Sequence, residues 1–225
     1  LFYRISNSQK KRQPLNYPVA GVVINLERST DRRKSFFASA AKQKGCFGYE
    51  KESRSTTEIE IIQAIDGKEI KSQIAGVTDN EYACIQSHLK ALKYAKKQGF
   101  ECVAIFEDDV LFTDSFSKDF QVYLSELPDN FHILYLGGSF GRPPQYYDKF
   151  FSKQVYTWGA FAYVVHKRAY TNLINILSKA NKIVDAMYID YQKQYLCIKP
   201  NKKLVIHPQG VSTIKEKFVN YQNIV

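Results

Sequence analysis

Apolar runs of strand length alternate along this chain with stretches whose apolar residues recur at helical spacing. Gly21–Leu26 reads as a buried strand. Ser29 or Thr30 then caps a helix predicted to run to about Lys44, with apolar pairs Phe36/Ala40 and Phe37/Ala41 and with Gly45 as its stop. Residues 49–60 are charged and lack a period, so no regular element is expected there. A second strand is predicted at 61–65, stopped by Asp66 and Gly67. Asp79 or Asn80 opens a long helix to about Gln98, with Ile85, His88, Leu89 and Leu92 as its buried stripe and Gly99 as its end. A third strand at 101–106 runs straight into Glu107, Asp108 and Asp109. The next helix starts near Asp114, carries Phe116, Phe120, Tyr123, Leu124 and Leu127, and ends at Pro128. A fourth strand at 131–136 leads to Gly137 and Gly138, and residues 137–158, rich in Gly, Pro and Tyr, read as a loop. A strand at 160–165, helices near 168–179 and from Val184, and a last strand at 204–206 complete the pattern. Strands alternating with helices predict an α/β fold with a mostly parallel central sheet flanked by helices. Residues 1–17 form a basic tail or surface segment, and 18–225 a single domain.

Composition narrows the class. With 225 residues, 44% hydrophobic and 24% charged, this is a folded chain and not a disordered basic tail. A net charge of +10 beside 14% aromatic residues points first to a partner rich in phosphate or sugar, nucleic acid included. The longest apolar runs, 102–106 and 161–165, fall far short of the roughly 18–20 residues of a membrane span. The basic segment 1–12 lacks the apolar core of a signal peptide, the chain starts without Met, and an upstream anchor stays open. Cys46, Cys84, Cys102 and Cys197 are irregularly spaced and form no Cys-x-x-Cys, so they read as reduced, mostly buried thiols. No Asn-x-Ser/Thr acceptor occurs, which fits a non-secretory history, and the expected location is cytoplasmic or membrane-peripheral.

Ligands of open α/β sheets bind outside the carboxyl ends of the strands. Glu27 and Arg28 follow the first predicted strand, Asp66 the second, Glu107 to Asp109 the third and a glycine pair the fourth. Three adjacent carboxylates between apolar residues repel one another. A hard divalent cation, Mg²⁺ or Mn²⁺, would relieve that repulsion and bridge to a diphosphate. The alternative is an acidic capping turn before Thr113 and Asp114. Arg28 suits phosphate, whereas Arg32 and Arg33 read as a solvated helix face. His88 lies on the apolar stripe and reads as a core histidine. Asp185 opens a helix as a cap, and Asp190 stands about 140° away from it around that helix. His207 is either a third metal ligand or a surface residue. Tyr146, Tyr147 and Trp158 suit a sugar ring.

These residues resemble glycosyltransferase family 25, the lipooligosaccharide galactosyltransferases of bacteria and the related collagen galactosyltransferases. The resemblance runs from about Val22 to Ile214. Residues 23–33 (VINLERSTDRR) are similar to the family's opening strand and arginine-rich turn, and 64–67 (AIDG) to its short second motif. Residues 81–89 (EYACIQSHL) resemble its Gly-Glu-x-Gly-Cys-x-x-Ser-His segment, with Asn80 and Ala83 at the two glycine positions. Residues 106–110 (FEDDV) resemble the acidic metal motif, and 157–165 the Tyr-rich strand. Val184-Asp185 and Pro208-Gln209, with Ser212 and Ile214, resemble the C-terminal motifs.

The resemblance implies a GT-A-like, Rossmann-related fold, a UDP-sugar donor, Mn²⁺ or Mg²⁺, and inversion at the anomeric carbon. The implied activity moves a hexose, galactose or glucose, to a glycan, glycolipid or hydroxylated protein side chain. Asp109, Glu107 and His207 are then expected at the metal. Asn25, Arg28, Asp66, His88, Glu107 and Asp108 are expected in the donor pocket, and Ser87 becomes a further candidate. Asp185 is expected as the general base, with Tyr156 and Trp158 at the acceptor. Two other readings stay open at this level. One is a metal-dependent nuclease or nucleic-acid-binding protein, served by the charge and the acidic triplet. The other is an inactive binding module, for which Asn80 and Ala83 speak. On the glycosyltransferase reading no nucleic-acid partner is expected. The positive charge at Lys10 to Arg12, at Lys93, Lys96 and Lys97, and at Lys199, Lys202 and Lys203 then suits solvent, an anionic acceptor or an anionic membrane surface.

Overall fold

The computed structural model describes residues 18–43, 45–51, 54–56, 59–140, 143, 145–208, 210–212 and 217–219. The basic segment 1–17, Gln209 and Ile214 therefore lie outside the described residues. The central sheet has eight strands: β1 (Val19–Asn25), β2 (Ile59–Gln63), β3 (Cys102–Glu107), β4 (Ile133–Tyr135), β5 (Gln145–Tyr146), β6 (Phe151–Lys153), β7 (Ala162–His166) and β8 (Cys197–Pro200). Their order across the sheet is β2-β1-β3-β7-β4-β8-β6-β5. β2, β1 and β3 run parallel, as do β4 and β8, while β7 and β6 run against their neighbours.

β1 is buried at every position, as a strand covered on both faces must be. Its side chains alternate between two cores: Ala20, Val22 and Ile24 enter one, and Val19 and Val23 the other. The first core is closed by α2 (Asp79–Gln98), α4 (Lys167–Ser178) and α5 (Val184–Gln192), through Ile85, Leu89, Leu92, Leu173 and Tyr188. The second is closed by α1 (Thr30–Ala40) and α3 (Phe116–Ser125). There Phe36, Phe47, Phe106, Phe112, Phe116 and Phe120 form a ring cluster with centroids 4.8–6.2 Å apart. Burying each such ring contributes roughly 2–3 kcal/mol.

The cap of α2 is Thr78, one residue before Asp79 and two before Asn80, the two predicted caps. Thr78 accepts from the Glu81 backbone N–H, and the Glu81 carboxylate accepts from the Thr78 backbone N–H, a reciprocal capping box. Its end is at Gly99, left-handed at φ 72°. Asn80 and Ala83 both lie within this helix, where a non-glycine backbone is at home.

Several expectations change. α1 stops at Ala40, short of Lys44. The charged stretch 49–60 is not structureless: Tyr49–Lys51 pairs antiparallel with Arg54–Thr56, and β2 begins at Ile59. The predicted loop 137–158 holds β5 and β6, which finish one edge of the sheet, and a two-stranded ribbon of Ser139–Phe140 with Thr157–Trp158. β8 went unpredicted because four residues with one lysine make no hydrophobic run. The last predicted strand is the ribbon Val205–Ile206, paired with Leu111–Phe112 outside the central sheet. The cysteines are free, with Cys46, Cys102 and Cys197 buried and Cys84 half-buried. Among the described residues no helix is long and apolar enough to cross a membrane.

Candidate active site

The parallel strands β1, β2 and β3 end side by side, and the polar residues that follow them meet at this edge. Asn25, the last residue of β1, donates from Nδ2 to Asp108 Oδ2 at 2.6 Å and to the Ser29 carbonyl at 3.2 Å. After β2, the Ser87 hydroxyl of α2 accepts from the Ile65 N–H at 2.9 Å. Gly67 fits directly against α2, where a Cβ would stand 2.8 Å from the Asn80 Cα, so this turn needs glycine. Asp66, held by that turn, pairs with Arg28. After β3, Arg32 reaches Asp108 Oδ1 at 3.2 Å and Asp109 Oδ2 at 3.0 Å through one guanidinium nitrogen.

Arg32 is thus not the solvated helix residue expected from its position on α1. It is the main cation facing the acidic triplet, and helical spacing alone carried no sign of this. Arg28, Arg32, Cys84, His88, Glu107 and Asp108 line one solvent-open cleft.

The ribbon of Val205–Ile206 with Leu111–Phe112 delivers His207 to the same place. Its Nε2 stands 3.2 Å from Asp109 Oδ1, and its ring packs edge-on against Phe161. Asp109 Oδ1 is buried with no aligned hydrogen-bond donor among the described residues, and so is Asn25 Oδ1. A buried carboxylate beside an imidazole nitrogen and a second carboxylate is a donor set that fits a divalent cation. Asp109 and His207 are the residues present to hold one. Glu107 turns toward His88, with Nε2 to Oε1 at 3.4 Å, while its backbone N–H bonds the Phe161 carbonyl at 2.8 Å.

His88 is a core residue that also lines the cleft. It is fully buried on the α2 stripe, and its Nδ1 meets the Tyr163 hydroxyl at 2.7 Å. Asp185, in the first turn of α5, accepts the Ala160 backbone N–H at 3.0 Å, and its charge is felt at both Glu107 and His88. Asp190 points elsewhere, pairing with Lys182 and Lys193. Trp158 precedes this region by two residues and packs edge-on against Tyr156 with centroids 5.9 Å apart. Both rings are half-buried.

Burial sets the electrostatics of this edge. It raises Glu107 well above the ordinary glutamate value, reinforced by the charges of Asp109 and Asp185. It raises Asp108 too, against the pull of Asn25 and Arg32. Burial also pushes Asp109 upward, but contact with His207 and the nearby Arg32 outweigh it and hold Asp109 below its usual range. Burial would lower His207, yet Asp109 keeps it raised. Burial takes His88 down to about 4, so it is neutral near pH 7. The triplet therefore splits into one firmly ionised carboxylate, Asp109, and two that resist ionisation.

A family model described as glycosyltransferase family 25 (LPS biosynthesis protein) matches residues 20–141, more than half of the chain. The chain belongs to glycosyltransferase family 25. No curated protein matches the sequence. Among solved structures, a glycosyltransferase involved in glycosylating the major capsid of PBCV-1 is similar at 11% identity and TM-score 0.52, covering 88% of this chain and 96% of that one. The glycosyltransferase GlyE of Streptococcus pneumoniae TIGR4 aligns at 10% identity and TM-score 0.48, covering 82% of this chain. The family 25 chain spans only 45% of the GlyE structure. A Drosophila β1,4-galactosyltransferase 7 mutant, complexed with manganese, UDP-Gal and xylobiose, aligns at 10% identity and TM-score 0.43, covering 85% of this chain and 72% of that one. At these identities the likeness concerns the fold, which is of the GT-A type, and only the capsid enzyme's alignment is close enough to carry that point.

Proposed function

We propose that this family 25 chain is an inverting, metal-dependent transferase that moves a hexose, galactose or glucose, from a UDP-sugar to an acceptor hydroxyl. The acceptor belongs to a glycan, a glycolipid or a hydroxylated protein side chain. The observation that carries the reading is the buried Asp109 Oδ1 facing His207 Nε2 at 3.2 Å beside Arg32, at the carboxyl edge of a GT-A-type sheet.

Each residue then has a task. Asp109 and His207 hold Mn²⁺ or Mg²⁺, which when bound supplies positive charge to the donor diphosphate and to the departing UDP. Arg28 and Arg32 present guanidinium groups to phosphate or ribose oxygens. Asn25, Asp66, Asp108, Glu107 and His88 shape the rest of the donor pocket. Glu107, whose carboxyl burial pushes up, stands where it can hydrogen-bond a sugar or ribose hydroxyl. The Ala160 N–H orients Asp185. Asp185 takes the proton of the acceptor hydroxyl as that oxygen bonds to the anomeric carbon. The bond from that carbon to the β-phosphate oxygen breaks, and its electron pair leaves with UDP. Tyr156 and Trp158 offer ring faces for the acceptor sugar.

A thermal-shift screen of UDP-galactose and UDP-glucose, with and without Mn²⁺, tests the donor. Binding confined to the folded state raises the melting temperature. The reading expects a shift that needs both donor and cation. No shift with any donor would favour an inactive module, and salt-sensitive binding to random DNA would favour the nuclease reading.

A further inference from the structure

We propose that Cys84, His88 and Glu107 form a second cation site, selective for a thiophilic divalent ion of the zinc type, on the inner wall of the cleft. The ligand atoms of these three residues lie within 4.8 Å of one another. Cys84 and His88 are four residues apart on α2, so they share a helix face, and Glu107 comes to them from the end of β3.

His88 Nε2 and Glu107 Oε1 are already 3.4 Å apart. Tetrahedral zinc, with bonds of about 2.3 Å to sulfur and about 2.0 Å to nitrogen, sets its ligand atoms roughly 3–4 Å apart. Small rotations of Cys84 and Glu107 therefore complete the geometry.

A second, separate observation points the same way. The other ring nitrogen of His88 is held by the Tyr163 hydroxyl at 2.7 Å, and Tyr163 is in turn 3.2 Å from the Tyr188 hydroxyl. The His88 ring also stacks on Tyr163. Metal-binding imidazoles are oriented by such an outer hydrogen bond, which fixes the tautomer and turns the free nitrogen to the ion.

The ligand chemistry separates this site from the Asp109–His207 pair. Sulfur and imidazole select zinc over Mn²⁺ or Mg²⁺, which prefer oxygen. On binding, the Cys84 thiol and any protonated Glu107 carboxyl give their protons to solvent, and thiolate and carboxylate together neutralise the ion. A fourth coordination position remains toward the cleft. Glu107 also serves the proposed donor pocket, so an ion here excludes the donor. That consequence rests on the transferase reading, while cation binding itself does not.

Titration of the purified full chain with Co²⁺ alone tests the site through thiolate-to-cobalt charge-transfer absorption. The expected result is a band saturating at one equivalent, displaced by Zn²⁺, lost in Cys84→Ser and weakened at least tenfold in His88→Asn. Asp109→Asn keeps the band. Absence of a band in the wild type, or an undiminished band in Cys84→Ser, overturns the proposal. Should Cys84→Ser fail to fold, alkylation of the wild type decides: Zn²⁺ must protect Cys84 from iodoacetamide, read by peptide mass, and equal labelling with and without Zn²⁺ contradicts the site. A cobalt band without any UDP-sugar shift would end the transferase reading and leave this site standing. The converse result would do the opposite.

Discussion

His207 Nε2 faces Asp109 Oδ1 at 3.2 Å, brought there by a two-stranded ribbon that lies outside the central sheet. This contact holds Asp109 ionised despite its burial and keeps His207 raised. Replacing His207 by alanine removes one proposed cation ligand and the group that supports the other. Mn²⁺ affinity should fall at least tenfold, as read by the free-ion signal in electron paramagnetic resonance. Unchanged affinity would remove His207 from the cation site.

Asp185 is expected to act on the acceptor and not on the donor. Asp185→Asn keeps an acceptor for the Ala160 N–H but takes up no proton. Transfer should fall about 10²–10⁴-fold, while the donor-induced thermal shift persists. Loss of donor binding in step with turnover would place Asp185 elsewhere in the reaction.

His166 gives a pH dependence outside the site. Its Nδ1 accepts the Arg168 backbone N–H at 3.1 Å and so caps α4. Burial and the Arg168 charge lower it to about 4, from 6.5. Between these values the unfolded chain binds the extra proton, so stability falls as pH falls from 6.5 toward 4. His166→Asn preserves a cap without titrating and should remove about 2 kcal/mol of that acid loss, allowing for solvent screening. Urea melts of both proteins across this range provide the measurement. Identical slopes would contradict the assignment.

Thr78 begins the helix that carries Cys84, Ser87 and His88. Thr78→Ala removes the hydroxyl that accepts the Glu81 N–H, leaves the backbone N–H that Glu81 accepts from, and should lower the stability by about 1 kcal/mol in urea denaturation. A change near zero would mean that packing alone defines the start of α2.

The fold was legible where burial is two-sided or periodic. β1 and β3 are continuous apolar runs, and α2 shows its stripe, so these three elements were readable to within two residues at each end. β5, β6 and β8 were not, because strands of two to four residues carry too little pattern. The direction of β7 was also hidden: alternation of strands and helices suggests parallel crossovers, yet β7 lies antiparallel between β3 and β4. At the site, the polar residues after each strand marked the edge where Asn25, Asp66 and Asp108 meet. Arg32 escaped because its charge reads as solvent-facing on a helix, and only its contact with Asp108 and Asp109 shows otherwise. Cys84 escaped because a thiol among apolar residues reads as core. Its place four residues before His88 was the one available signal.

The most direct test compares wild type with Asp109→Asn, measuring UDP release and sugar transfer from UDP-galactose and UDP-glucose as Mn²⁺ is varied. The account predicts cation-dependent turnover in the wild type. It predicts a loss of at least 10²-fold in the variant that added Mn²⁺ does not restore, with the fold intact by circular dichroism. Wild-type turnover that is indifferent to Mn²⁺ and to its removal by chelator, or full turnover in Asp109→Asn, would contradict it.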